Sequence, residues 1–61
     1  MKDKWLFTFP DAAKLLGIGK MKIYDLIARK ELPVTNIDGK RRISRFALEE
    51  YIERNTDRRI A

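Results

Sequence analysis

Nine residues of this 61-residue chain have side chains suited to engaging a polyanion or the edge of a base: Lys20, Met21, Lys22, Tyr24, Asp25, Arg29, Lys40, Arg41 and Arg42. Six of them share one stretch at helical spacing. At 100° per residue, Met21, Asp25 and Ala28 centre one face, with Tyr24 on one flank and Lys22 and Arg29 on the other. Lys20 sits at the N-terminal end of that face. The other three follow the turn signal Asp38-Gly39. Lysines at the end of such a helix can hold phosphates, and a methionine can touch a thymine methyl. Arginines at a turn gain most from a narrow A·T-rich minor groove, whose potential is strongly negative.

Each residue also has a plainer reading. Met21 can be merely exposed, and Tyr24 can be a core-rim residue with its hydroxyl in water. Arg29 fits equally well as a favourable charge at a helix C-terminus. Asp25 repels phosphate; it either accepts from a cytosine amino group or pairs with Arg29 four residues later, and the ion pair is favoured. The basic turn can simply blunt strand edges. By alternation, Arg42 opposes Ile43, so one arginine should lie along the inner side of its strand with its stem packed.

Positioning these residues requires a scaffold, and the segment from Pro10 to Glu31 supplies one. It reads as two short helices joined by Gly17-Ile18-Gly19, a helix-turn-helix signature whose second helix enters the major groove in DNA-binding versions. Thr8 begins the first helix: its hydroxyl can accept from the Asp11 amide while the Asp11 carboxylate reaches back. Pro10 is tolerated in the first turn. Ala12, Ala13, Leu15 and Leu16 form its apolar face, and the free amides at its start offer a phosphate site. Gly17 ends it in the left-handed region, Ile18 drops into the core, and Gly19 caps the second helix without a side-chain oxygen.

The second helix spans about Lys20 to Lys30 and buries Ile23, Leu26 and Ile27. Leu32-Pro33 breaks it. Val34–Ile37 and Lys40–Ile43 flank Asp38-Gly39 as a β-hairpin. Ser44 caps a third helix, about Arg45 to Arg54, with Ala47, Leu48, Tyr51 and Ile52 as its stripe and Glu49, Glu50 and Glu53 towards solvent. Phe46 lies off the stripe and is expected under the hairpin. Residues 1–7 form a lead-in in which Trp5-Leu6-Phe7 makes an edge strand or packs on the core; an exposed Trp5 would instead suggest a partner. Residues 55–61 read as a flexible polar tail. The expectation is one domain over 1–61.

Composition bounds the chemistry. Formal charge is +5, with fourteen Lys and Arg against nine Asp and Glu. From Gly17 to Arg45 there are eight basic and three acidic residues, so the whole excess sits on the second helix and the hairpin, and the remainder balances. That is the footprint of a nucleic-acid binder, though a solvated surface, an acidic protein or a membrane surface would also suit it. The chain has no cysteine and no histidine. Disulfides, thiolate chemistry, zinc sites and the commonest general base are therefore excluded, and no enzyme, metal or cofactor is expected. No apolar run reaches the roughly 20 residues of a membrane span, and Lys2-Asp3-Lys4 leads into too short an apolar run for a signal peptide. A cytoplasmic, nucleoid-associated protein is expected.

Taken together, TFPDAAKLLGIGKMKIYDLIARKELPVTNIDGKRRISRFALEEYI resembles the excisionase-type helix-turn-helix family, relatives of the MerR DNA-binding domain. The resemblance rests on Thr8, Ala12-Ala13, Leu15-Leu16-Gly17-Ile18, Ile23-Tyr24, Leu26-Ile27, Leu32-Pro33, Gly39-Lys40-Arg41-Arg42-Ile43 and Leu48 with Tyr51-Ile52. No single piece is specific; their order and spacing are. Two positions depart from the family: Gly19 stands where serine or threonine is common, and Asp25 where a basic residue is common. The resemblance implies a mainly α winged helix-turn-helix of three helices plus a wing. It also implies double-stranded DNA as partner, the second helix in the major groove and the wing in the minor groove.

The function it implies is an excisionase that binds and bends attachment-site DNA in several copies and assists an integrase. A small transcription regulator of a mobile element would use the same surface. An interaction module without DNA binding, such as an antirepressor or adaptor, is the alternative of another class.

Overall fold

A computed structural model describes residues 4–57. Three helices and three strands follow in the order β1 (Leu6–Phe7), α1 (Phe9–Leu16), α2 (Lys20–Ala28), β2 (Thr35–Ile37), β3 (Lys40–Ser44) and α3 (Arg45–Arg54). The strands form one antiparallel sheet with β3 in the middle. The first half of β3 pairs with β2 across the hairpin, from Ile37 opposite Lys40 to Thr35 opposite Arg42. Its second half pairs with β1, placing Phe7 opposite Ile43. This is a winged helix-turn-helix, with the β2–β3 hairpin as the wing.

Local rules set most boundaries. Thr8 accepts from the Asp11 amide at 3.2 Å, and Ser44 accepts from the Ala47 amide at 3.0 Å, so α1 and α3 begin on hydroxyl caps. The Asp11 carboxylate takes the Lys4 ammonium at 3.0 Å. Asp11 places an acidic side chain in the first turn of α1, where it complements the positive end of the helix. Gly17, at φ 71°, ends α1: its own amide reaches the Lys14 carbonyl and the Ile18 amide reaches that of Ala13, the two bonds of a Schellman motif. Asp38 and Gly39 both have positive φ, as the two-residue turn of a twisted hairpin demands, and the Asn36 side chain accepts from the Gly39 amide at 2.9 Å.

The core comprises Phe9, Ala12, Ala13, Ile23, Leu26, Leu32, Ile43, Ala47 and Leu48. Phe9 enters because α1 starts there, so its buried face reads 9, 12, 13 and 16 at helical spacing. Leu15, expected inside, is rotated off that face and 55% exposed. Ile52 is likewise exposed, and the two side a shallow groove floored by Phe7 and Leu48. Phe46 does not pack under the wing. It is 64% exposed and lies against Trp5 at 5.3 Å between ring centroids, with the Arg45 guanidinium over the Trp5 ring. Trp5 is therefore an exposed aromatic rather than a core residue.

Helix α2 stops before Leu32-Pro33. Arg29 is its cap, and Lys30 takes φ 63°, donating to the Ile27 carbonyl while the Glu31 amide donates to that of Leu26. This is a second Schellman motif, built on lysine instead of glycine. Of the residues read as a tail, Asn55 closes α3 by donating its amide to the Tyr51 and Ile52 carbonyls. Thr56 continues this closure, its amide donating to the Glu53 carbonyl, while tail residues 58–61 and lead-in residues 1–3 lie outside the described residues.

Two predictions follow from these termini. Lys30→Gly relieves left-handed strain and should raise stability by about 0.5–1 kcal/mol. Gly17→Ala should lower it by about 1 kcal/mol, all of it backbone strain, because a Cβ there meets nothing within 4 Å. Urea midpoints decide both; equal midpoints for the two variants would contradict the assignment of strain.

The acid limb of stability supplies the other test. Lys4, by hydrogen bond and charge, holds the Asp11 carboxyl below its usual range. A lowered folded value stabilises above the unfolded one, near about pH 4, and that contribution disappears as pH falls through the folded value. Lys4→Met should flatten the loss of stability below about pH 4 in urea titrations.

Candidate nucleic-acid interface

The outward face of α2 carries no core role. Ile23 and Leu26 are buried behind it, while Lys20, Met21, Lys22, Tyr24 and Asp25 are exposed, Met21 at 80%. Gly19 caps α2 without a side-chain hydrogen bond, and no acidic residue stands in the first turn. The amides of Lys20 and Met21 precede the first intrahelical bond, so this terminus keeps its positive end open to solvent. Its N-terminus contrasts with that of α1, where Asp11 fills the same role.

Charge pairing sorts the basic residues into two sets. Arg29 is engaged on both sides, donating to Asp25 at 3.1 Å and to Glu31 at 2.7 Å. Glu31, then Asp25, raise its already high pKa. Asp25 thus serves as an ion-pair acceptor on the outward face of α2, with Lys22 a looser neighbour at 3.7 Å. Arg45 pairs with Glu49 at 3.1 Å, one turn along α3. Among the described residues, Lys20, Lys40, Arg41 and Arg42 have no acidic partner. Lys14 and Lys30, at the C-terminal ends of α1 and α2, have none either. Lys20 and the wing therefore keep their full charge, while Arg29 at the C-terminal end of α2 is neutralised by Asp25 and Glu31.

The wing arginines differ from each other. Arg41 shares a strand face with Ile43, and its guanidinium lies over the Phe9 ring at 5.5 Å from the centroid. Arg41 is nonetheless exposed, so the packed stem expected of the inner arginine is not found there. Arg42 faces the other way, half-buried, with Nη1 donating to the Arg41 carbonyl at 3.0 Å. Tyr24 is 47% exposed and meets the Phe9 ring edge-on, at 5.4 Å and 82°. Its rim packing and its exposure coexist: the ring contacts Phe9 while about half of the residue remains accessible.

The nine sequence-derived residues lie on α2, its cap and the wing: Arg29, Asp25 and Lys22 form an ion-pair network, Arg42 is half-buried, and the others are exposed. The residue missed is Phe9, which touches both α2 and the wing. Its signal was available, since Phe9 precedes Ala12, Ala13 and Leu16 by three, four and seven positions.

Comparison with known proteins agrees with this geometry. Residues 6–56 match the helix-turn-helix domain family. Over 54 residues the chain is 39% identical to a protein of Saccharopolyspora erythraea described as a probable excisionase, covering 88% of this chain and 55% of that one. It is 38% identical over 48 residues to an excisionase of Streptomyces ambofaciens, covering 79% of this chain and 77% of that one. The chain thus spans about half the length of the first relative and about three quarters of the second. No solved structure matches at comparable significance. The matched residues 6–56 include all three helices and the wing, and the chain belongs to the excisionase-type helix-turn-helix family.

Proposed function

We propose that this chain is a sequence-specific architectural DNA-binding protein that acts as an excisionase. In this reading α2 enters the major groove and the wing reaches the adjacent minor groove. Lys20 and Lys22 hold phosphates at the groove edge, Met21 and Tyr24 face bases or sugars, and Lys40, Arg41 and Arg42 follow the minor groove. The observation that carries the reading is the sorting of charge. Lys20 and the wing cations lack acidic partners among the described residues and Lys22 has Asp25 only as a loose neighbour, whereas Arg29 is already neutralised by Asp25 and Glu31. The relatives named excisionase support the same assignment.

A single module of this kind buries roughly 600–1,000 Å² on DNA and binds modestly alone. Several copies therefore load on adjacent sites, bend the duplex together and present it to an integrase. The protein acts where the DNA is, at the nucleoid; among the described residues no helix is long and apolar enough to cross a membrane.

Fluorescence anisotropy across a salt series tests the reading. With about four to six phosphate contacts, log K should fall with log[salt] at a slope of roughly −4 to −5, with A·T-rich duplexes preferred. Lys20→Ala or Arg42→Ala should each reduce the slope by about 0.9, whereas Arg29→Ala should leave it unchanged. A chain that binds no duplex at low salt would instead be an interaction module for an acidic partner.

A further inference from the structure

The two DNA-facing elements of this fold have little direct contact with each other. Helix α2 packs mainly on α1, and α1 in turn touches β3. Phe9, the first residue of α1, is the side chain through which both are reached. Its ring is 8% exposed. Tyr24 of α2 meets it edge-to-face, and the Arg41 guanidinium of the wing lies over it.

We propose that Phe9 is a positioning residue for DNA binding, holding Arg41 and Tyr24 on one ring so that the wing and α2 are set at a fixed spacing before DNA arrives. The proposal rests on the DNA-binding reading above and assigns a role to a residue that touches no nucleotide.

The chemistry of the three side chains suits this role. A guanidinium resting on an aromatic ring is attracted through the ring's π face, and its N–H donors in its own plane stay available to phosphate or base oxygens. Arg41 has no acidic partner among the described residues to compete for those donors. A long side chain held this way loses less freedom on binding than one sampling solvent. Tyr24 gains the same benefit from its edge contact, which fixes the ring while leaving the hydroxyl end exposed. An aliphatic residue at this position would fill the core but provide neither the π face nor the ring edge.

A double-mutant cycle tests the coupling. Phe9→Leu and Arg41→Ala are made singly and together, and duplex affinity is measured by anisotropy, with thermal unfolding confirming that each variant is folded at the assay temperature. Phe9→Leu should weaken binding about 3- to 10-fold in the wild-type background, in keeping with the modest size of cation–π and aromatic pair contacts. In the Arg41→Ala background it should weaken binding less, because the Arg41 contact is already gone and only the Tyr24 contact remains to be lost. Equal losses in both backgrounds would mean that Phe9 acts only through stability and would overturn the proposal.

A second measurement leaves Phe9 intact. In the free wild-type protein the side-chain protons of Arg41 should resonate upfield of those of Arg42, shifted by the Phe9 ring current. Coincident shifts would overturn the proposal even if Phe9→Leu fails to fold. Wild-type protein that binds no duplex brings down the DNA-binding reading and this inference with it. Wild-type binding with an additive cycle brings down this inference alone.

Discussion

Two alanines set the spacing on which the rest of the molecule depends. Ala12 and Ala13 are buried on the face of α1, where larger side chains would force the neighbouring elements apart. Interaxial distance between packed helices follows the bulk of the residues at the contact. Small side chains at these two positions let α1 sit close to the core that Ile23 and Leu26 share with Ile43 and Leu48. A chain of 61 residues buries only about 60% of its unfolded surface, so it has little apolar area in reserve. Close approach at the alanines makes that area continuous from the helix-turn-helix to the wing.

Onto this small core the chain loads an unbalanced charge. Unpaired like charges repel one another and weaken the compact state. The repulsion is relieved selectively. Asp25 and Glu31 quench Arg29 where α2 meets the loop, and Glu49 quenches Arg45 at the start of α3. At the tip and return strand of the wing no such quenching occurs among the described residues. Exposed ion pairs contribute little to stability, about 0–1 kcal/mol each. Their effect here is better described as shaping the field, leaving positive potential at one end of α2 and along the hairpin. The acceptance of Lys30 in a left-handed conformation is a comparable local cost, retained by a loop that must turn sharply at that point.

Much of this arrangement was legible in the residues because it follows rules of short range. Thr8, Gly17, Ser44 and Asp38-Gly39 each satisfy backbone groups within a few positions, and each lies where local chemistry puts it. What escaped depends on rotation and on distant partners. Leu15 and Leu16 are indistinguishable by type, and only the starting point of α1 decides which of them faces inward. That starting point also brings in Phe9, whose neighbours Tyr24 and Arg41 are far away in sequence. Phe46 follows a similar logic: its position off the stripe of α3 was plain, but that Trp5 would be its partner depends on β1 joining the sheet. The early end of α2 escaped because a lysine does the work of a glycine there. The charge on the groove face could be counted from the residues, whereas the capture of Arg29 by a carboxylate beyond the helix end could not.

The pairing of β1 with the end of β3 bears on the order in which the molecule assembles. Leu6-Phe7 meets Ile43-Ser44 only after the helix-turn-helix and the wing have been enclosed within a single long loop. The helical pair and the hairpin each form from neighbouring residues, on timescales of microseconds, whereas closing that loop carries the larger entropic cost and sets the pace. The pairing of β1 with the end of β3 therefore joins the segments before the helix-turn-helix and after the wing, tying both into one frame.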